Sequence, residues 1–95
     1  MPCPSFPPPP SDGRDMQVGD VVFHAAAQTV EVATDGLPCR QFAFDGSCET
    51  RGRLRAGDTF DALYWVEGEN IRGENRWWVA TDGARLHVGG TVEKP

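Results

Sequence analysis

Cysteines, histidines and a scatter of aspartates are the residues of this chain that could perform covalent or acid–base chemistry. A thiolate nucleophile needs a base within hydrogen-bond reach, and Cys39 or Cys48 with His24 or His87 would supply the two groups. Nothing in their spacing brings them together. No nucleophile-elbow, HExxH or P-loop pattern occurs in the sequence. Cys39 and Cys48 are spaced C-x8-C, which is not the spacing of a zinc ribbon. Cys39 reads as a small buried residue, His24 as a surface or edge position, and His87 as an exposed strand position. A domain this small uses most of its apolar residues in one core and has little left to enclose a substrate. The expectation is a protein without catalytic activity, metal or cofactor.

Recognition chemistry is better represented. All three tryptophans, Trp65, Trp77 and Trp78, fall in one stretch of the second half. Trp77 and Trp78 are adjacent, so on a strand they point to opposite faces. One is expected to fill the core and the other to lie outside it, unless a loop covers both. The segment Glu67–Arg76 carries charges of both signs and reads as a flexible loop beside these rings. The candidate contact surface is therefore Trp65 and Trp77, rimmed by Arg72 and Arg76. The Pro-rich start of the chain adds Pro7, Pro8, Pro9 and Pro10. Polyproline II is already extended, so docking it costs little ordering entropy, and ten residues span roughly 31 Å.

Charge narrows the partners. The chain has a formal net charge of −5, with one lysine and eight scattered arginines. Phosphate backbones and anionic membrane surfaces both require clustered cations, so neither nucleic acid nor membrane is expected. The expected partner is protein. No stretch is long and apolar enough to cross a membrane. The start of the chain lacks the basic and apolar regions of a signal peptide, so synthesis in the cytoplasm is expected. In that compartment the thiols stay reduced. Cys3 and Cys48 are expected to react with labelling reagents faster than a buried Cys39.

The elements that must position these residues are short strands. Residues 1–15 have no helical or strand period and read as an extended Pro-rich arm; residues 16–95 form the folding unit. Asp12-Gly13, Asp35-Gly36, Asp45-Gly46 and Asp82-Gly83 mark turns. Asp82-Gly83 fits a two-residue hairpin best, since Ala84, Leu86 and Val88 alternate after it. Val18–Phe23, Thr29–Ala33 and Thr59–Glu67 read as strands, the last with apolar residues on both sides. Ala25–Gln28 is the only helix candidate, at most one turn. Short strands with Gly-rich turns argue a small all-β barrel of five or six antiparallel strands, with Val30, Leu54, Phe60, Val79 and Leu86 inside.

From Thr29 to Val92 the chain resembles the bacterial SH3 domain family, in the form carried by actinobacterial and phage proteins. Leu37-Pro38-Cys39-Arg40 stands at the family's Leu-x-Val-Arg element. Leu54-Arg55-Ala56-Gly57-Asp58-Thr59-Phe60 matches its Leu-x-x-Gly-x-x-Phe turn into a long strand. Trp77-Trp78-Val79 and Gly83–Val88 match the closing pair. The family's closing strand usually carries an aromatic that lines the binding groove, and Leu86-His87 stands there in this chain. The resemblance implies an SH3-like barrel acting as a binding module. Two functions follow as expectations. One is a structural or protein-binding module, such as a small phage accessory or virion component docking on other subunits. The other is a cell-wall module recognising peptidoglycan, as on lysins.

Overall fold

Alternating apolar residues from Thr59 onward build the spine of the fold, a strand long enough to pair along its length with two neighbours. The computed structural model describes residues 14–18, 21–44, 46 and 48–93. They form β1 (Met16–Val18), β2 (Val21–Val32), β3 (Leu37–Arg40), β4 (Glu49–Leu54), β5 (Thr59–Ile71), β6 (Glu74–Ala80), β7 (Arg85–His87) and β8 (Thr91–Glu93). A single 3-10 turn, Val88–Gly90, leads into β8. The strand order is β1-β2-β5-β6-β7-β3-β4, and β8 returns to pair with β2. All pairings are antiparallel. The result is a small all-β, barrel-like fold of eight strands among the described residues, rather than five or six. Val21–Val32 runs as one strand, β2, and β1, β3, β4 and β8 add to the expected set. No helix of the described residues is long and apolar enough to cross a membrane.

Two local expectations are corrected. Ala25–Gln28 is not helical but the middle of β2, where the pairing with β5 shifts register between Ala25 and Gln28. A single helical turn gains almost no hydrogen bonds alone, whereas the strand gains a ladder on β5. Glu67–Arg76, expected as a flexible hairpin loop, is mostly strand: β5 and β6 run to the tip, with Ile71 opposite Glu74 and Glu67 opposite Arg76. Arg72 (φ 55°) and Gly73 (φ 90°) occupy its two central positions, which is a type I′ turn. The Asn70 side chain accepts the Gly73 N–H at 2.9 Å. Asn, Asp and Gly suit the first of those positions; an arginine there costs on the order of 1 kcal/mol.

Asp82-Gly83 does turn the chain from β6 to β7, with a different geometry. Only Gly83 has positive φ, at 92°, and its N–H donates to Ala80 O while Ala80 N–H donates to Ala84 O. That is a three-residue connection ending in a glycine bulge. Asp12-Gly13 and Asp45 lie outside the described residues.

The sheet buries apolar residues on both faces. One face gathers Val32, Leu37, Cys39, Ala80, Ala84 and Leu86, and continues through Phe60 to Val30, Ala62 and Trp78. The other gathers Phe23, Tyr64, Val66, Trp77 and Val79. Trp77 and Trp78 thus point to opposite faces, yet both are 2% exposed. Trp78 is covered by the chain's return, its indole N–H donating to Thr91 Oγ1 at 2.9 Å. Trp77 donates to the carbonyl of Glu69 at 3.1 Å. Val30, Val79 and Leu86 are fully buried, whereas Leu54 and Phe60 are half-buried at the margin of the core. Arg85 is buried on the second face, its guanidinium 5.7 Å from the Phe23 ring centre and 2.7 Å from Gly83 O. Desolvation pushes its pKa down, and the ring and carbonyl offset part of that cost.

Candidate functional site

A cleft of about 410 Å³ opens where β3, the β5–β6 turn and the 3-10 turn meet. Leu37, Pro38, Ile71 and Trp77 supply its apolar lining, and Arg40, Arg72, Glu74 and His87 its ionisable groups. Each wall has a local cause. The type I′ turn brings Ile71, Arg72 and Glu74 together at one end. Gly90 lies close under Leu37, since a side chain on it would come within 2.7 Å of Leu37 Cδ1. Trp77 forms part of the cleft from within the core, and its indole stands edge-on to His87, with ring centres 5.0 Å apart.

His87 is fixed rather than exposed. Its Nε2 lies 3.0 Å from the Glu74 carbonyl oxygen. A carbonyl only accepts, so Nε2 carries a proton and donates. The imidazole therefore ties β7 to the start of β6 and holds its other edge against Gly89.

The carboxylate of Glu74 is held by Arg76. The guanidinium donates to both oxygens, at 3.1 and 2.9 Å, and the Arg76 backbone N–H adds a third bond at 3.1 Å. The Arg76 side-chain hydrogen bonds are the main reason its pKa falls from 4.5 to about 2; partial burial opposes them, and the charges of Arg76 and His87 assist. A carboxyl with a depressed folded pKa stabilises the fold above its unfolded value and loses that contribution as pH falls toward the folded one. Glu74→Gln should therefore be less stable than the parent at pH 7, by about 0.2–1 kcal/mol for a solvent-screened pair. The two melting curves should converge between pH 4.5 and about 2. A constant difference across that range would show that the ion pair is not the cause.

The structure joins some of the sequence-derived candidates and separates others. Arg72 and Trp77 line the same cleft. Arg76 is turned to Glu74 at its edge. Trp65 pairs with Trp78, and Val66 with Trp77, so Trp65 and Trp77 lie on opposite faces and do not form one aromatic surface. Trp65 instead stacks on His24, with ring centres 3.9 Å apart and an interplanar angle of 14°. Pro7, Pro8, Pro9 and Pro10 lie outside the described residues, as does most of the arm.

Cys39 is buried among Val32, Leu37, Ala80, Ala84 and Leu86 and is not disulfide-bonded. Cys48 is disulfide-bonded. This corrects the expectation that it carries a reactive thiol, whereas Cys39 keeps its thiol as expected. Among the described residues no group of three His, Cys, Asp or Glu side chains is placed to hold a metal.

Sequence reasoning missed most of the cleft, and it missed a second surface. Phe42 and Phe44 are 46% and 45% exposed. Their rings are parallel, with an interplanar angle of 2° and centres 6.3 Å apart. Their loop is anchored by Glu69 N–H donating to Ala43 O and Gln41 N–H donating to Cys48 O, both at 2.9 Å. The chain bends between them, with Phe44 N–H donating to Phe42 O at 2.9 Å, so no strand period announces the pair.

The chain matches no protein-family model, no curated protein and no solved structure.

Proposed function

We propose that this protein is a non-enzymatic docking module that holds a peptide segment of another protein in the cleft between β3, the β5–β6 turn and the 3-10 turn. The observation that carries this reading is the lining itself. An apolar floor of Leu37, Ile71 and Trp77 sits beside a few fixed polar groups, the arrangement that gives a site both burial and orientation. The sequence resemblance to bacterial SH3 domains supports it, because that resemblance implies a binding module. A small phage accessory or virion component docking on larger assemblies fits such a module.

The test is panning of a random peptide library against the protein and against Thr34→Trp. Thr34 is an exposed cleft residue, so an indole there fills the cleft without disturbing the core. Enrichment on the parent alone is the expected result. Equal enrichment on both proteins would move the binding site elsewhere.

A second reading, recognition of peptidoglycan, is favoured by the disulfide at Cys48, since such bonds persist in oxidising, exported settings. Co-sedimentation with purified peptidoglycan, lost in Thr34→Trp, would select it.

A further inference from the structure

The charge of the cleft is opposite to that of the chain. The protein has a net charge of −5, yet the ionisable groups around the cleft are Arg40, Arg72, His87 and Glu74. The single acid among them is already held by Arg76 at both oxygens. A ligand entering the cleft therefore meets the exposed guanidinium of Arg72. Among the described residues it makes no hydrogen bond or ion pair.

The backbone of Arg72 adds an independent observation. It is the one non-glycine residue with positive φ among those described, and it sits where a type I′ turn favours Asn, Asp or Gly. Among the described residues its side chain forms no ion pair that would reward an arginine there. Strained backbone without a structural return is characteristic of binding and catalytic positions.

We infer that the cleft takes an acidic peptide segment, with an apolar side chain against Leu37, Ile71 and Trp77 and an Asp or Glu carboxylate on the guanidinium of Arg72. This rests on the docking reading above and specifies its ligand. The guanidinium can meet a carboxylate with two parallel hydrogen bonds, which gives direction as well as attraction. The chain's net charge of −5 disfavours an acidic partner over the surface as a whole, so docking depends on local cations such as Arg72. A nucleic acid would need a track of cations along its backbone, and the cleft offers one exposed arginine.

The experiment begins with a random dodecapeptide library fused at its C-terminus, so that only side-chain carboxylates are sampled. The enriched pool should be richer in Asp and Glu than the input and poorer in Lys and Arg. A synthetic peptide from that pool should bind Arg72→Asn about tenfold more weakly, the loss expected for one charge-assisted contact. Asn is favoured at this turn position, so the variant should fold at least as well as the parent. Binding to the parent, but much less to the variant, should weaken as salt is raised to about 0.5 M. A neutral or basic pool, or an acidic peptide that binds Arg72→Asn as tightly as the parent, would overturn the inference while leaving a peptide-docking cleft in place. No enrichment at all would overturn both.

Discussion

Replacing Trp77 by Ala should cost about 3–5 kcal/mol, the loss usual for a large aromatic removed from a core. That is comparable with the whole stability of a domain of this size. Trp77 carries this load because it joins three parts of the molecule. It packs with Phe23, Tyr64, Val66 and Val79 on the second face, bonds to Glu69 O through its indole N–H, and stands against His87 in the cleft. Truncation leaves a cavity, removes the indole's hydrogen bond to Glu69 O, and removes the floor on which the cleft is built. A denaturant titration followed by circular dichroism measures it. Trp77→Phe should keep most of the packing and lose the hydrogen bond, giving a smaller deficit of about 1–2 kcal/mol. Equal midpoints for the parent and Trp77→Ala would show that the ring is not part of the core.

Gly68→Ala should destabilise the fold by about 1–3 kcal/mol, through crowding rather than through lost contacts. A Cβ at this position would run into the carbonyl oxygen and side chain of Ala43 and come within 2.8 Å of Trp77 Cδ1. The obstacle is partly backbone, so no rotamer change relieves it. The loop bearing Phe42 and Phe44 must move off β5, breaking the Glu69–Ala43 hydrogen bond, or β5 must shift at its irregular stretch between Glu67 and Ile71. Limited proteolysis should then cut near Phe42 and Phe44 sooner than in the parent. An unchanged melting temperature together with unchanged cleavage would contradict the close packing of this loop.

What the sequence revealed and what it concealed follow from the range of the interactions. The alternation in Thr59–Glu67 is local, and β5 is where it predicts a strand, with Ala62, Tyr64 and Val66 buried and Leu63 and Trp65 half-buried. The turn at Asp82-Gly83 is equally local. Ala25–Gln28 misleads because alanine favours a helix weakly, and pairing with β5 outweighs that preference. The two-residue turn at Arg72-Gly73 is hidden within the expected hairpin loop because Arg-Gly is not a usual type I′ pair. The burial of both Trp77 and Trp78 depends on segments far away in the chain, β8 for one and the Ala43 loop for the other. The cleft is less legible still. Its residues come from Thr34, from β3, from the β5–β6 turn and from the Gly89-Gly90 segment, and no spacing along the chain announces that these meet.

The central claim is that this cleft is where the protein meets its partner. It is tested most directly by recording amide and indole spectra of the ¹⁵N-labelled protein while adding an acidic peptide selected on it. The account predicts that the shifts concentrate at Arg72, Glu74, His87 and the indole N–H of Trp77, and that Thr34→Trp abolishes them. Shifts centred on Trp65 and His24, or on Phe42 and Phe44, with the cleft signals unmoved, would contradict it.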